Sequence, residues 1–221
     1  MTAQRMTVER MTAGPMTAQR KTVAGVLLAA GAGSRMGGPK ALVEFAGEPL
    51  VRRGIRLLVE SGCDPVVVVV GAAAAQVRPL CAGAEVVEAA AWDTGMAASL
   101  RSGLTWLEPM EHVRGAVVAL VDQPLVTAAA IERLRAAHAG GAVAAVATYA
   151  GRARNPVLLD RSTWAGVSAA ATGDEGARTW LRAHPDLAVQ VDCSDVGAPD
   201  DVDTPQQLAK LDLSITNEGA R

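Results

Sequence analysis

Aromatic side chains are scarce, about 3% of the 221 residues, with a single Phe (Phe45) and a single Tyr (Tyr149). Few platforms therefore exist on which nucleobases could stack, and the four tryptophans, Trp92, Trp106, Trp164 and Trp180, read as packing residues. Charge of one sign is not in excess either. The formal net charge is −2 and the basic residues are scattered, so there is no basic stripe of the kind a nucleic-acid partner requires. Cysteine is limited to Cys63, Cys81 and Cys193, odd in number and without a C-x-x-C pair, which excludes a disulfide framework and a zinc site. That usage fits a reducing compartment, and the expected location is cytoplasmic. His112, His138 and His184 also lack metal-ligand spacing. No apolar run approaches the ~20 residues of a membrane span, so no membrane partner is expected.

The first twenty residues repeat with a period of five, "MTAQR MTVER MTAGP MTAQR", which matches neither a helix nor a strand face. A disordered tail is expected over residues 1–21. It carries no apolar h-region, so no secretory signal is expected. Residues 22–213 are expected to form one domain and residues 214–221 a flexible C-terminal tail. Half of the composition is hydrophobic, enough for one core burying roughly 70–75% of the unfolded surface.

From Thr22 onward, short aliphatic runs alternate with helix-like segments. That rhythm predicts an α/β domain with a Rossmann-like, doubly wound, mainly parallel sheet flanked by helices. Strands are expected at residues 23–30, 65–71, 85–88, 115–121, 142–149, 157–160 and 187–191. "PVVVVVG" and "GAVVALV" are apolar on both faces, as buried parallel strands are. Helices are expected at 49–61, 95–107, 127–139 (Thr127 as cap, ended at Gly140), 161–170, 174–184 and 204–211 (Thr204 as cap).

After the first strand comes "LAAGAGSRMGGPK". A dinucleotide fingerprint, G-x-G-x-x-G, fails because the glycine after Gly31 and Gly33 is Gly37, one position late. A P-loop, G-x-x-x-x-G-K-[ST], fails because Pro39 intervenes between Gly38 and Lys40 and Ala41 replaces the hydroxyl. What remains is a loop whose glycines let backbone amides approach phosphates, with Arg35 as a bidentate ligand and Lys40 as a point charge. A triphosphate is the natural guest, an ordinary glycine-rich β-α turn the alternative. Asp122 follows the strand at 115–121 and would emerge at the rim where ligands bind in open parallel sheets. It suits a Mg²⁺ ligand, or simply a turn before Gln-Pro.

The loop resembles the signature L-x-A-G-x-G-x-R-M-G-x-x-K of nucleotidyltransferases that load CTP or GTP onto a phosphorylated acceptor. "WDTGMAASLRSGL", "VALVDQPLV", "NPVLLDR", "TGDEGAR" and "DVDTPQQL" extend the resemblance to the molybdenum cofactor cytidylyltransferases, a branch of the MobA-like NTP transferases, and together cover nearly everything after Thr22. The resemblance implies a fold of the nucleotide-diphospho-sugar transferase type and transfer of CMP from CTP to the phosphate of a molybdopterin-type cofactor, releasing pyrophosphate. It implies Mg²⁺ on Asp122 and Asp203, though an Asp at 203 also suits the start of a helix. It implies nucleotide binding by Leu28, Ala29, Ala30, Gly31, Gly33, Ser34, Arg35, Lys40, Gly71, Gly95 and Ser99, with Arg35, Lys40 and Asp122 catalytic. "GMAASL" also reads as an Ala-rich helix start. Ala30 points to CTP, because GTP-using relatives read L-A-G-G where this chain reads Leu28-Ala29-Ala30-Gly31. On the acceptor side it implies Asn155, Asp174 and Arg178. Asp174 and Arg178, one helical turn apart, equally suit a surface salt bridge, and Arg152 and Arg154 suit either an anionic acceptor or a solvated loop. The branch usually reads Gly-His-Pro where this chain has Arg154-Asn155-Pro156. A molybdenum hydroxylase would receive the product. The alternatives are a GTP-using or sugar- or polyol-phosphate transferase, and a non-catalytic nucleotide- or cofactor-binding chaperone, which has no need for two metal carboxylates.

Overall fold

The structure, a computed structural model, describes residues 21–218. The pentads and residues 219–221 lie outside the described residues. The elements run in the order β1 (Thr22–Ala29), β2 (Glu44–Phe45), β3 (Glu48–Pro49), α1 (Leu50–Glu60), β4 (Val66–Val70), α2 (Ala74–Val77), β5 (Glu85–Glu88), α3 (Met96–Leu107), β6 (Val113–Leu120), α4 (Ala128–Ala139), β7 (Ala144–Tyr149), β8 (Arg152–Asp160), α5 (Trp164–Ala170), α6 (Arg178–Ala183), β9 (Ala188–Asp192) and α7 (Pro205–Glu218). β2 and β3 form a small antiparallel hairpin, and the other strands form one sheet in the order β5-β4-β1-β6-β8-β7-β9. β1 pairs in parallel with β4 and β6, β4 with β5, and β7 with β9, while β8 runs antiparallel to both β6 and β7.

Alternation along β1 divides the core. Ala24, Val26 and Leu28 face one layer, with Leu100, Leu104 and Leu107 of α3 and the tryptophans of α5 and α6. Leu27 and Ala29 face the other, with Val51, Ile55 and Leu58 of α1 and Ile131 and Leu134 of α4. All five valines of β4 are buried, Val67 to Val70 completely, each contributing about 1.5–3 kcal/mol through burial. Burial on both faces is why this stretch has no period-two pattern.

Two expectations are corrected. The region expected as one helix at 174–184 is broken: Gly173–Glu175 is a 3-10 turn, Gly176 takes φ +54°, and α6 begins at Arg178. The strand expected at 157–160 begins earlier, at Arg152, because its antiparallel pairing with β7 extends through Ala153 and Arg154. The closing helix is longer than expected, Pro205–Glu218. As expected, Thr127 caps α4 by accepting from Ala130 N–H and the helix ends at Gly140, with the left-handed turn following at Gly141 (φ +102°). Among the described residues no helix is long and apolar enough to cross a membrane.

Candidate functional site

The glycine loop leaves the carboxyl end of β1 and folds back on itself. Gly33 O accepts from Met36 N–H (2.8 Å) and Gly38 N–H (3.3 Å). Gly33 takes φ +62°, and a Cβ there would stand 1.9 Å from Gly38 O, so glycine is required for the turn to close. After Pro39, the turn Lys40–Leu42 buries Ala41 and aims Lys40 back under the loop.

Two carboxylates meet Lys40. Val202 N–H donates to Asp122 O (2.8 Å), tying the exit of β6 to the segment before α7. Gln123, almost fully buried, reinforces this by donating to Asp201 Oδ1 (2.9 Å) and Pro199 O (3.3 Å). Asp203, two residues past the bound Asp201, thereby comes beside Asp122. Lys40 Nζ donates to Asp122 Oδ2 at 2.7 Å and to Asp203 Oδ1 at 2.5 Å, and Arg35 reaches Asp203 Oδ2 at 3.4 Å from an exposed position. Burial alone would lower the Lys40 pKa, but the bonds to Asp122 and Asp203 outweigh it and hold the ammonium above the ordinary lysine value. The Lys40 bond in turn holds the Asp203 carboxyl below its usual range, with Arg35 adding to the effect.

Arg35, Lys40 and Asp122 line a cavity of about 330 Å³ with Leu28, Ala30, Gly31, Gly33, Ser34, Gly95 and Ser99, while Asp203 stands behind Lys40 outside that lining. The cavity's position at the carboxyl ends of β1 and β6 is where open α/β sheets bind ligands. Ala29 and Gly71 are not in its lining. The Ala29 side chain faces the opposite core layer, since side chains alternate along β1, and a Cβ at Gly71 would stand 2.5 Å from Trp92 Cγ and 2.7 Å from Ala30 O, two residues that do line it. Trp92, read from composition as a packing residue, lines the cavity with Met96. The signal for it was its place at the head of "WDTGMAASLRSGL".

Next to this cavity lies a second, of about 410 Å³, sharing Leu28, Met96, Leu120 and Asp174 with the first. Arg154, Asn155, Glu175, Arg178, Arg182 and an apolar floor from Leu100 to Val157 complete it. Asn155, Asp174 and Arg178 are therefore brought together, but not by a shared helix face. Asp174 Oδ1 accepts from Met96 N–H (3.2 Å) at the start of α3, where a carboxylate offsets the helix dipole. Among the described residues it forms no ion pair with Arg178; the acid that pairs here is Glu175, with Arg182.

The donor set suits a divalent cation. Two carboxylates plus substrate phosphates is a common arrangement for Mg²⁺, and Asp122 Oδ1 is buried without a hydrogen-bond partner, leaving an acceptor that a cation would satisfy. Among the described residues, no cluster of three or more His, Cys, Asp or Glu offers a protein-only metal site.

The MobA-like NTP transferase domain model matches residues 25–188 of this chain. The chain belongs to the MobA-like NTP transferase family. A curated relative of this MobA-like protein, nicotine blue oxidoreductase from Paenarthrobacter nicotinovorans, is 37% identical over 202 residues, spanning 86% of this chain and 96% of the relative. Among solved structures, the Mycobacterium tuberculosis Rv0371c homolog from Mycobacterium sp. strain JC1 superposes with a TM-score of 0.77 at 30% identity, over 90% of this chain and 98% of that one. Rv0371c from M. tuberculosis H37Rv in complex with manganese gives 0.72 at 28% identity, over 87% and 99%.

Proposed function

We propose that this MobA-like protein transfers CMP from CTP to the phosphate of a molybdopterin-type acceptor and releases pyrophosphate. The observation that carries the reading is the convergence of Lys40, Asp122 and Asp203 beneath a glycine loop that opens onto two joined cavities. One cavity has the lining of a nucleotide site. The other combines an apolar floor with Asn155, Arg154 and Arg178, which suits a flat ring system carrying an anionic phosphate.

A phosphate oxygen of the acceptor attacks the α-phosphorus of CTP, forming the new O–P bond as the bond to the β-phosphate oxygen breaks. The electron pair leaves with pyrophosphate. The acceptor phosphate is already a nucleophile, so catalysis is positioning and charge neutralisation rather than proton abstraction. Arg35 and Lys40 neutralise the departing pyrophosphate, and the glycine loop orients the triphosphate. Asp122 and Asp203 would hold Mg²⁺, which when bound withdraws charge from the phosphate oxygens. Ala30 and Ser99 bound the cavity beside the base, and the Ala30 methyl supports CTP over GTP. A molybdenum hydroxylase is the proposed recipient of the product.

The test is pyrophosphate release from folded protein given Mg²⁺, each NTP in turn and molybdopterin. Release with CTP supports the reading, and its absence with every NTP sinks it. The 37% identity to a protein named nicotine blue oxidoreductase favours a second reading, a redox reaction of an organic substrate in the larger cavity. Bleaching of nicotine blue in the presence of an added reductant, without pyrophosphate release, would select it.

A further inference from the structure

Lys40 is engaged in an unexpected way for a phosphate ligand. Its side chain is only 17% exposed and bonds both carboxylates, while Arg35 takes the second oxygen of Asp203. Asp203 therefore has a cation on each oxygen and Asp122 has one, with Asp122 Oδ1 left buried and unpartnered. A divalent cation between these carboxylates needs the oxygens that the ammonium now holds. The ammonium and the cation compete for Asp122 Oδ2 and Asp203 Oδ1, and only Asp122 Oδ1 is free of a partner.

We infer that Lys40 is an internal counter-ion that closes the metal site in the nucleotide-free protein and opens it when a triphosphate draws the ammonium away. The inference rests on Asp122 and Asp203 being the metal ligands, but it concerns the protein before any transfer occurs. The anchoring supports a movement of the side chain alone. Ala41 is buried and the turn Lys40–Leu42 is closed by Val43 N–H to Lys40 O (3.0 Å), so the backbone stays fixed while the four-carbon stem can swing toward the glycine loop. Lys40 lines the same cavity as that loop. Removing the ammonium leaves Asp122 without a cation and Asp203 with only the exposed Arg35 at 3.4 Å, a stronger trap for a divalent ion than the paired state. Metal and nucleotide binding then favour each other by the same factor, and the free protein does not sequester metal.

The test is Mn²⁺ titration of the nucleotide-free full chain, followed by the electron paramagnetic resonance signal of the free ion. Lys40→Met, which keeps the apolar stem, is expected to bind one Mn²⁺ at least about tenfold tighter than wild type. Adding Asp203→Asn to that variant is expected to abolish the gain. If Lys40→Met does not melt cooperatively, Lys40→Gln carries the same expectation. Equal or weaker binding without the ammonium overturns the inference, and so does tight binding that survives Asp203→Asn. Transfer is not read in this experiment, so loss of the proposed reaction and loss of the counter-ion role are distinguishable.

Discussion

Lys40 and Asp122 carry the heaviest demands at the scale of the residue, because each serves charge that changes during transfer. Lys40→Ala and Asp122→Ala are each expected to lower the transfer rate by at least ~10²-fold, measured as pyrophosphate release at saturating CTP. Arg178→Ala is expected to raise KM for the acceptor and leave KM for CTP unchanged, since Arg178 lines only the second cavity. That Gly33, Arg35 and Lys40 line one cavity was legible because they sit in one short stretch whose spacing rules out commoner phosphate loops. The Lys40 contacts were not, because the lysine lies far along the chain from both aspartates and no local pattern pairs them. Trp92 was missed for a related reason: composition cannot tell a packing indole from one that walls a cavity.

Elements set these residues in place through close approaches. Gly95, ahead of α3, has φ +114°, and a Cβ there would lie 2.5 Å from Gly173 C and O. Gly95→Ala is expected to cost about 1–3 kcal/mol in chemical denaturation and to weaken CTP binding, because it pushes residues 173–176 off the start of α3. Asp160, at the end of β8, accepts from Ser162 N–H and pairs with His138. Burial raises its pKa, but the Ser162 and His138 contacts prevail and the carboxyl lies below its usual value. A carboxyl depressed in the folded state contributes stability above its unfolded pKa and loses it as pH falls through the folded one. Asp160→Ala is therefore expected to destabilise by about 1 kcal/mol at pH 7. The gap should close as thermal melts are taken below about pH 4. The buried strands were readable from unbroken valine runs. The first half of β8 was not, because Arg152 to Arg154 are exposed and carry no apolar alternation, and the break at Gly176 is a left-handed turn (φ +54°) that helical periodicity does not mark.

The described residues form a seven-stranded sheet with helices on both faces and a small separate hairpin, with the candidate site at the carboxyl ends of β1 and β6. The alternation of aliphatic runs and helical segments carried that architecture, while the antiparallel insertion of β8 between β6 and β7 leaves no mark in hydrophobic periodicity. At this scale the account makes one claim, that the two joined cavities bring CTP and a phosphorylated acceptor together for transfer. The most direct measurement is the mass of molybdopterin recovered after incubation with the protein, CTP and Mg²⁺. The account predicts an acceptor heavier by one cytidylyl group, with one pyrophosphate released for each acceptor converted. An acceptor of unchanged mass and no pyrophosphate, from folded protein supplied with CTP and Mg²⁺, would contradict it.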